Sequence, residues 1–478
     1  MSLPTAASAA AVPPFRKLSA AQVERIHQAS LAILERTGVS LLHQEALDLL
    51  AKAGVHAIEG NRVRIPAQLV EWALSVAPKR VTLHNRHGRP VMPLEGYATF
   101  YGPGSDCPYV LDPRTGERRL GQLQDIVDAI RVCDALPNID FLMSFCIAHD
   151  LDQATYDRYQ MRTMLMNSIK PILYVTTEFG GCVDAAAMAE AVAGGAEAMR
   201  QRPIGALYIN VTGPLRHNEE ALQKLLFMAD KGLPTTYTPV VLRWASGPVT
   251  AAGATALANA GELAGLVLAQ LKREGAPIIL TGGVNDMMDM RAMVDAYAAP
   301  ENRVMLLEVA HRYGLPIFGL TGCSDAKIPD EQAAAEAAFA LILETLGGAQ
   351  MAHDVGYLEG GKCNSLLQIV ICDELINYVK RFMAPVEVDD ETLALDLIDE
   401  LGPEGDYLGA DHTLRHYRED WYPKLLDRRG YDAWQAAGGK TLGMRARERM
   451  LTLLDRHQPE PLPAYVQALL DEIVAQAG

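Results

Sequence analysis

The chain has 478 residues, of which 49% are hydrophobic and 21% charged, and its formal net charge is −16. That length is too great for one ordinary domain and sufficient for a large buried core, and the composition is that of a folded globular protein. The negative balance argues against nucleic acid, whose phosphates require clustered Lys and Arg, and is compatible with a small molecule or a protein partner.

Residues 1–14, MSLPTAASAAAVPP, are rich in Ala and Pro and read as a flexible tail. They lack the basic start and long apolar run of a secretory leader. Ser19-Ala-Ala-Gln22 is a capping start, after which Ile26, Ala29, Ile33 and Leu34 recur at helical spacing. Further helices are expected over 44–53 and 67–76, with a short hairpin in HAIEGNRVRIP between them. Residues 15–96 therefore read as a helical N-terminal extension.

From 97 to 382 short β-like runs alternate with helical runs. The strand candidates are 98–102, 141–146, 171–177, 206–212, 235–241, 277–283, 316–322 and 349–357. The helices start near Gly121, Gln153, Asp184, Glu219, Thr250, Met290, Asp330 and Asn364. Such alternation implies parallel pairing, and eight repeats of this size imply a closed (β/α)₈ TIM barrel. An open doubly wound sheet would carry a Gly-rich fingerprint after the first strand, and GPGSDC is not G-x-G-x-x-G. The most apolar stretch, Val249 to Leu271, is interrupted by Glu262 and closed by Lys272 and Arg273. It reads as a buried helix, not a membrane span. Residues 383–478 form a C-terminal helical extension dense in aromatic and charged residues, with no catalytic pattern.

In such barrels the chemistry sits at the C-terminal strand ends. There the sequence places Tyr101 and Asp106; His149; Tyr174 and Glu178; Tyr208 and Asn210; Tyr237 and Arg243; Thr321; His353 and Tyr357. Residues two apart share a strand face, so Tyr174 and Glu178 point together, as do Tyr208 and Asn210. Tyrosine faces beside carboxylates suit a quaternary or protonated amine. The same tyrosines could simply fill the barrel with their hydroxyls bonded to neighbours. No single catalytic residue is assigned.

Other chemistries leave weaker marks. Cys107, Cys146, Cys323, His149 and His353 all fall near strand ends and could in principle hold a catalytic zinc, but no short ligand spacing supports it and no metal is expected. Ser324, Asp325 and His353 could form a nucleophilic triad, but no G-x-S-x-G elbow accompanies them. Thr281-Gly-Gly is a weak phosphate cradle. Asn210-Val-Thr is formally a glycosylation sequon. The seven cysteines are scattered, odd in number and without C-x-x-C, as in a reducing compartment, so a cytoplasmic location is expected.

Several segments carry a family resemblance. They are LSAAQVERIHQASLAILERTGV (18–39), VLDPRTGERRLGQLQDIVDAIRV with the following DALPNIDF (134–141), GPVTAAGATALANAGELAGLVLAQL (247–271), YGLPIFGLTGCSDAKIPDEQAAAE (313–336) and LGADHTLRHYREDWYPKLLDRRGYDAWQAAGGK (408–440). In this order they resemble the trimethylamine methyltransferase (MttB) family over nearly the whole chain. The resemblance implies a (β/α)₈ barrel and methyl transfer to the cobalt of a separate corrinoid protein, with no cofactor bound in this chain. Founding members carry pyrrolysine. This chain has only standard residues, so it looks like the non-pyrrolysine branch, whose members include demethylases of glycine betaine and similar quaternary amines. The expected activity is transfer of a methyl group from glycine betaine, proline betaine or a similar amine to the Co(I) of a cognate corrinoid protein, by a homo-oligomer. A zinc-dependent barrel methyltransferase or hydrolase, and a non-catalytic betaine-binding protein, are the alternatives.

Overall fold

The computed structural model describes residues 15–281, 288–299 and 304–477. The tail at 1–14 and the pair Gly282-Gly283 lie outside them. Seven parallel strands form the barrel wall: β1 (Phe100–Pro103), β2 (Ile172–Val175), β3 (Gly205–Val211), β4 (Thr235–Pro239), β5 (Ile278–Thr281), β6 (Ile317–Leu320) and β7 (Met351–Val355). Their order is β1-β7-β6-β5-β4-β3-β2. The remaining gap, between β1 and β2, is filled by residues 140–146.

The sequence predicts a regular strand in that gap, and the structure has an irregular one. Asp140 and Phe141 donate their amides to the Tyr101 carbonyl at 2.6 and 3.4 Å. On the other side Leu142 donates to Pro171 and Leu173 donates to Leu142. The ladder then breaks because Phe145 adopts a left-handed backbone (φ 67°), which ends extended pairing. The segment still closes the wall, so the barrel has eight staves. The buried Lys170 ammonium fastens the approach to it, donating to the carbonyls of Cys133, Leu136 and Ile139.

Inside, Phe100, Phe141, Leu173, Ala206, Ile279, Phe318 and Met351 make one apolar layer. These residues sit near the N-terminal ends of the strands. A hairpin that the sequence reading assigned to the helical extension, Val81–His84 with Pro90–Leu94, plugs that end with Val81, Leu83, Met92 and Leu94. Water is thereby excluded from the barrel floor, and the other end is left for chemistry.

The rest of the N-terminal extension matches its signals. Ser19 accepts from the Gln22 amide and Gln22 returns a bond to the Ser19 amide, a capping box. Helices occupy Ala20–Ala32, Gln44–Lys52 and Ala67–Val76, and the hairpin at 58–63 joins a small sheet through Val39–Leu41. The helix expected near Met290 begins instead at Met305, after a short hairpin pairing Met288–Asp289 with Val294–Asp295. Ala251–Lys272 is long and apolar enough to cross a membrane, but 78% of its most apolar window is buried within the fold. Helices Leu442–Arg456 and Ala464–Gln476 of the C-terminal extension pack on the outer helix layer.

A pH-sensitive contact lies where the small N-terminal sheet, through the strand Arg216–His217 paired with Val39–Leu41, meets the barrel wall. His217 is fully buried, its Nδ1 lies 2.6 Å from the Tyr237 hydroxyl, and burial lowers its pKa to about 4. The folded pKa is depressed below the unfolded value of about 6.5, so below that value the unfolded chain takes up a proton the folded one refuses. Stability should therefore fall as pH drops from about 6.5 towards 4, by at most about 1.4 kcal/mol per pH unit from this one group. Urea titrations across this range should show the fall, and His217→Gln should flatten it. An unchanged slope in the variant would assign the acid sensitivity elsewhere.

Candidate active site

Two acids at the C-terminal ends of neighbouring strands stand in left-handed backbone, Asp106 after β1 (φ 56°) and Asp354 in β7 (φ 75°). Asp tolerates this region better than most residues, but it still costs energy and is retained where structure over-determines it. Asp106 Oδ1 accepts from Ser144 Oγ at 3.2 Å and Gln160 Nε2 at 3.4 Å. Removal from water pushes its carboxyl above the ordinary range, against the pull of those donors. Asp354 is fully buried. Its Oδ2 accepts from the Tyr297 hydroxyl and its Oδ1 lies 2.6 Å from His353 Nδ1.

Aromatic rings surround these acids. Inside the barrel the His353 ring stacks on Phe318 at 4.2 Å between centroids, and Tyr208 lies 5.4 Å from Phe318 and 5.9 Å from His353. Nearer the mouth, Tyr297 and Tyr357 stand 6.3 Å apart and pack with Cys107 and Cys323. The Tyr357 hydroxyl donates to the Ser105 carbonyl. Burial, reinforced by the Asp354 charge, drives the phenols of Tyr208, Tyr297 and Tyr357 upward, so all three stay neutral near pH 7. His353 Nε2 and Thr321 Oγ1 are buried without a protein partner among the described residues. The mouth thus offers neutral ring faces, two carboxylates and uncommitted polar atoms, an arrangement that attracts a small cation with apolar substituents.

The residues singled out from the sequence divide into groups. Asp106, Tyr208, Thr321, His353 and Tyr357 converge at the mouth, and Asn210 is exposed two residues beyond Tyr208 on its rim. Tyr101, Tyr174 and Tyr237 instead face the helix layer, where their hydroxyls meet Thr345, Met228 Sδ and His217. The expected pairing of Tyr174 with the site face is reversed because Leu173 packs inward and alternate residues change sides. Glu178 is exposed and held by Arg158 at 2.6 Å. His149 is exposed beside the Ile147 carbonyl, and Arg243 is half-buried with its Nε on the Val249 carbonyl.

The alternatives also acquire positions. Ser324 donates to Glu336 at 2.6 Å, and Asp325 accepts from the Tyr297 and Ala298 amides. These two residues anchor loops and do not extend towards a triad. Among the described residues the strand-end cysteines and histidines form no three-ligand group. Tyr297 and Asp354 are site residues that the strand-end expectations do not include. Tyr297 was hidden inside an expected helix, whereas the His353-Asp354 pair at a strand end was visible.

Comparisons with known proteins agree with this geometry. The family model described as trimethylamine methyltransferase matches residues 4–477. A trimethylamine methyltransferase from Desulfitobacterium hafniense is 31% identical, over 94% of this chain and 92% of its own. A glycine betaine methyltransferase from another strain of that species is 28% identical, over 98% of each chain. Among solved structures, the Methanosarcina barkeri monomethylamine methyltransferase superposes with a TM-score of 0.53 at 12% identity, covering 92% of this chain and 88% of its own, a likeness of fold.

The position of Tyr357 can be tested without knowing a ligand. A Cβ added at Gly104 would overlap the Tyr357 ring. Gly104→Ala should therefore destabilise the protein by about 1–3 kcal/mol, the usual cost of overpacking. In a Tyr357→Ala background the same change should cost little. Chemical denaturation of the four proteins in the cycle measures this, and additive losses would show that the ring does not lie over Gly104.

Proposed function

Since the chain belongs to the trimethylamine methyltransferase family, as its match over residues 4–477 shows, we propose that it demethylates a quaternary amine of the betaine type. The methyl group passes to the corrinoid of a cognate partner protein. The observation that carries this reading is the mouth itself, in which Tyr208, Tyr297 and Tyr357 stand beside Asp106 and Asp354. The similarity to a glycine betaine methyltransferase supports the substrate class, as does an unbroken chain of standard residues. The seven cysteines are buried and none is joined in a disulfide, which is consistent with work in the cytoplasm, and a homo-oligomer is proposed.

In the proposed reaction the N–CH₃ bond breaks and its electron pair stays on nitrogen. A neutral tertiary amine departs, so no general acid is needed. The partner's reduced corrinoid supplies the Co(I) nucleophile that takes the methyl group. The work of this chain is placement: the ring faces fix the ammonium, and the apolar floor keeps water away. The carboxylates stabilise a full positive charge, which fades as the bond breaks. They therefore serve binding more than rate acceleration. Asn210 and Arg243 are proposed to meet the substrate carboxylate; Arg243 is suited by its planar fork.

Two outcomes follow. A corrinoid-coupled assay over glycine betaine, proline betaine, carnitine, choline and tetramethylammonium should show turnover of a betaine and almost none of tetramethylammonium. Equal turnover of choline or tetramethylammonium would rule out recognition of a carboxylate. Asp354→Asn, which tolerates the left-handed backbone, should raise KM about ten-fold or more without lowering kcat, because the attraction it removes is strongest in the bound substrate. A fall in kcat with KM unchanged would place Asp354 in the chemical step instead.

A further inference from the structure

The DHTLRH run of the C-terminal extension has no part in the barrel mouth. It forms the short helix Asp411–His416, in which His412 and His416 stand one turn apart with ring centroids 4.4 Å from each other. Glu391 arrives from the separate turn Asp390–Leu393. One ring nitrogen of each histidine and one carboxylate oxygen of Glu391 lie within 4.8 Å of one another, the only such group among the described residues. Tetrahedral ligands at ~2.1 Å from a zinc ion sit roughly 3.4 Å apart, so small side-chain rotations would bring the three atoms onto one ion.

The surroundings also suit a cation. His416 Nε2 lies 3.1 Å from Glu391 Oε1, and its Nδ1 lies 2.8 Å from Glu419. A carboxylate on the far nitrogen of a histidine is the arrangement that orients metal-bound imidazoles. Arg415 also bonds Oε1 of Glu391, and among the described residues no hydrogen bond is recorded at its Oε2. An adjoining cleft of about 830 Å³ is lined by Asp390, Asp396, Glu400, Asp406 and Asp411, which lower the potential for an arriving cation.

We propose that Glu391, His412 and His416 bind one divalent transition-metal ion, with zinc the best match to two imidazoles and a carboxylate. The ion would clip the turns Asp390–Leu393 and Asp411–His416 together and so close the loop that contains Leu395–Leu401, three elements each too short to be stable alone. This site is independent of the proposed reaction. The extension packs on the C-terminal half of helix Leu366–Phe382, where Glu374 accepts from the amides of Lys424, Leu425 and Leu426. That helix leads away from the strand-end mouth. The expectation of no metal rests on the lack of short ligand spacing among the strand-end residues and on chemistry that needs none, and it leaves His412 and His416, four residues apart, unweighed.

The test uses the full chain, stripped with a chelator and titrated with zinc and, separately, cobalt(II). One equivalent of zinc should bind, and affinity should fall at least ten-fold in His412→Ala and in Glu391→Gln. The cobalt complex should show ligand-field bands without thiolate charge transfer. Zinc should also slow proteolysis between residues 389 and 419. Stoichiometric binding that survives a His412→Ala/His416→Ala double change, a thiolate band, or no binding above that of the double variant would each overturn the site. The histidines lie on surface turns, and the unfolding midpoint of the stripped variants checks that the fold is kept.

Discussion

Two carboxylates held largely out of water at the seam between β1 and β7 set the terms for the rest of the mouth. An ionised carboxylate taken from water costs several kcal/mol unless charge or hydrogen bonds replace its hydration. Asp354 obtains Tyr297 and approaches His353; Asp106 obtains long contacts from Ser144 and Gln160 and a contribution from the Ser105 hydroxyl. The compensation is incomplete, and a bound cation would complete it. Both acids also occupy strained backbone, which the neighbouring strands impose. The position of the loop carrying Tyr297 follows from the same constraint, because Asp325 pins its backbone while Asp354 takes its hydroxyl.

The barrel divides its labour along its axis. The floor is apolar and plugged by the hairpin 81–94, so that charge in the interior concentrates at one end. There, on the proposed reading, the aromatic rings replace water around the substrate cation without competing for it through full hydrogen bonds. This accounts for a polar upper layer in a structure whose interior is otherwise filled by Phe, Leu, Ile and Met. On the proposed reaction, it also accounts for a site with no conventional triad among the described residues, since the difficult bond-making then falls to a partner's cofactor and this chain supplies geometry.

Much of the architecture was legible because its signals are local. The Ser19–Gln22 capping box, the helices at 44–52 and 67–76 and seven of the eight barrel staves follow from spacing and turn chemistry. The eighth stave, 140–146, was located but not described, since a left-handed Phe145 has no sequence signature. Strand parity was not legible at all. Parallel strands are covered on both sides, so Tyr174 and Leu173 are equally plausible inward residues until the helix layer is placed. The result is that Tyr101, Tyr174 and Tyr237 fill the outer layer while Tyr208 faces the site. Tyr297 was missed because a helical pattern masked a hairpin. The Glu391–His412–His416 group depends on two turns that only folding brings together.

The central claim is that the mouth recognises positive charge. Calorimetry should compare glycine betaine with 3,3-dimethylbutyrate, which keeps its carboxylate and shape but replaces the ammonium with a neutral quaternary carbon. The account predicts that the cation binds at least ten-fold more tightly to the wild-type protein, and that Asp106→Asn combined with Asp354→Asn removes most of that preference. Equal affinity for the two ligands in the wild type would contradict it.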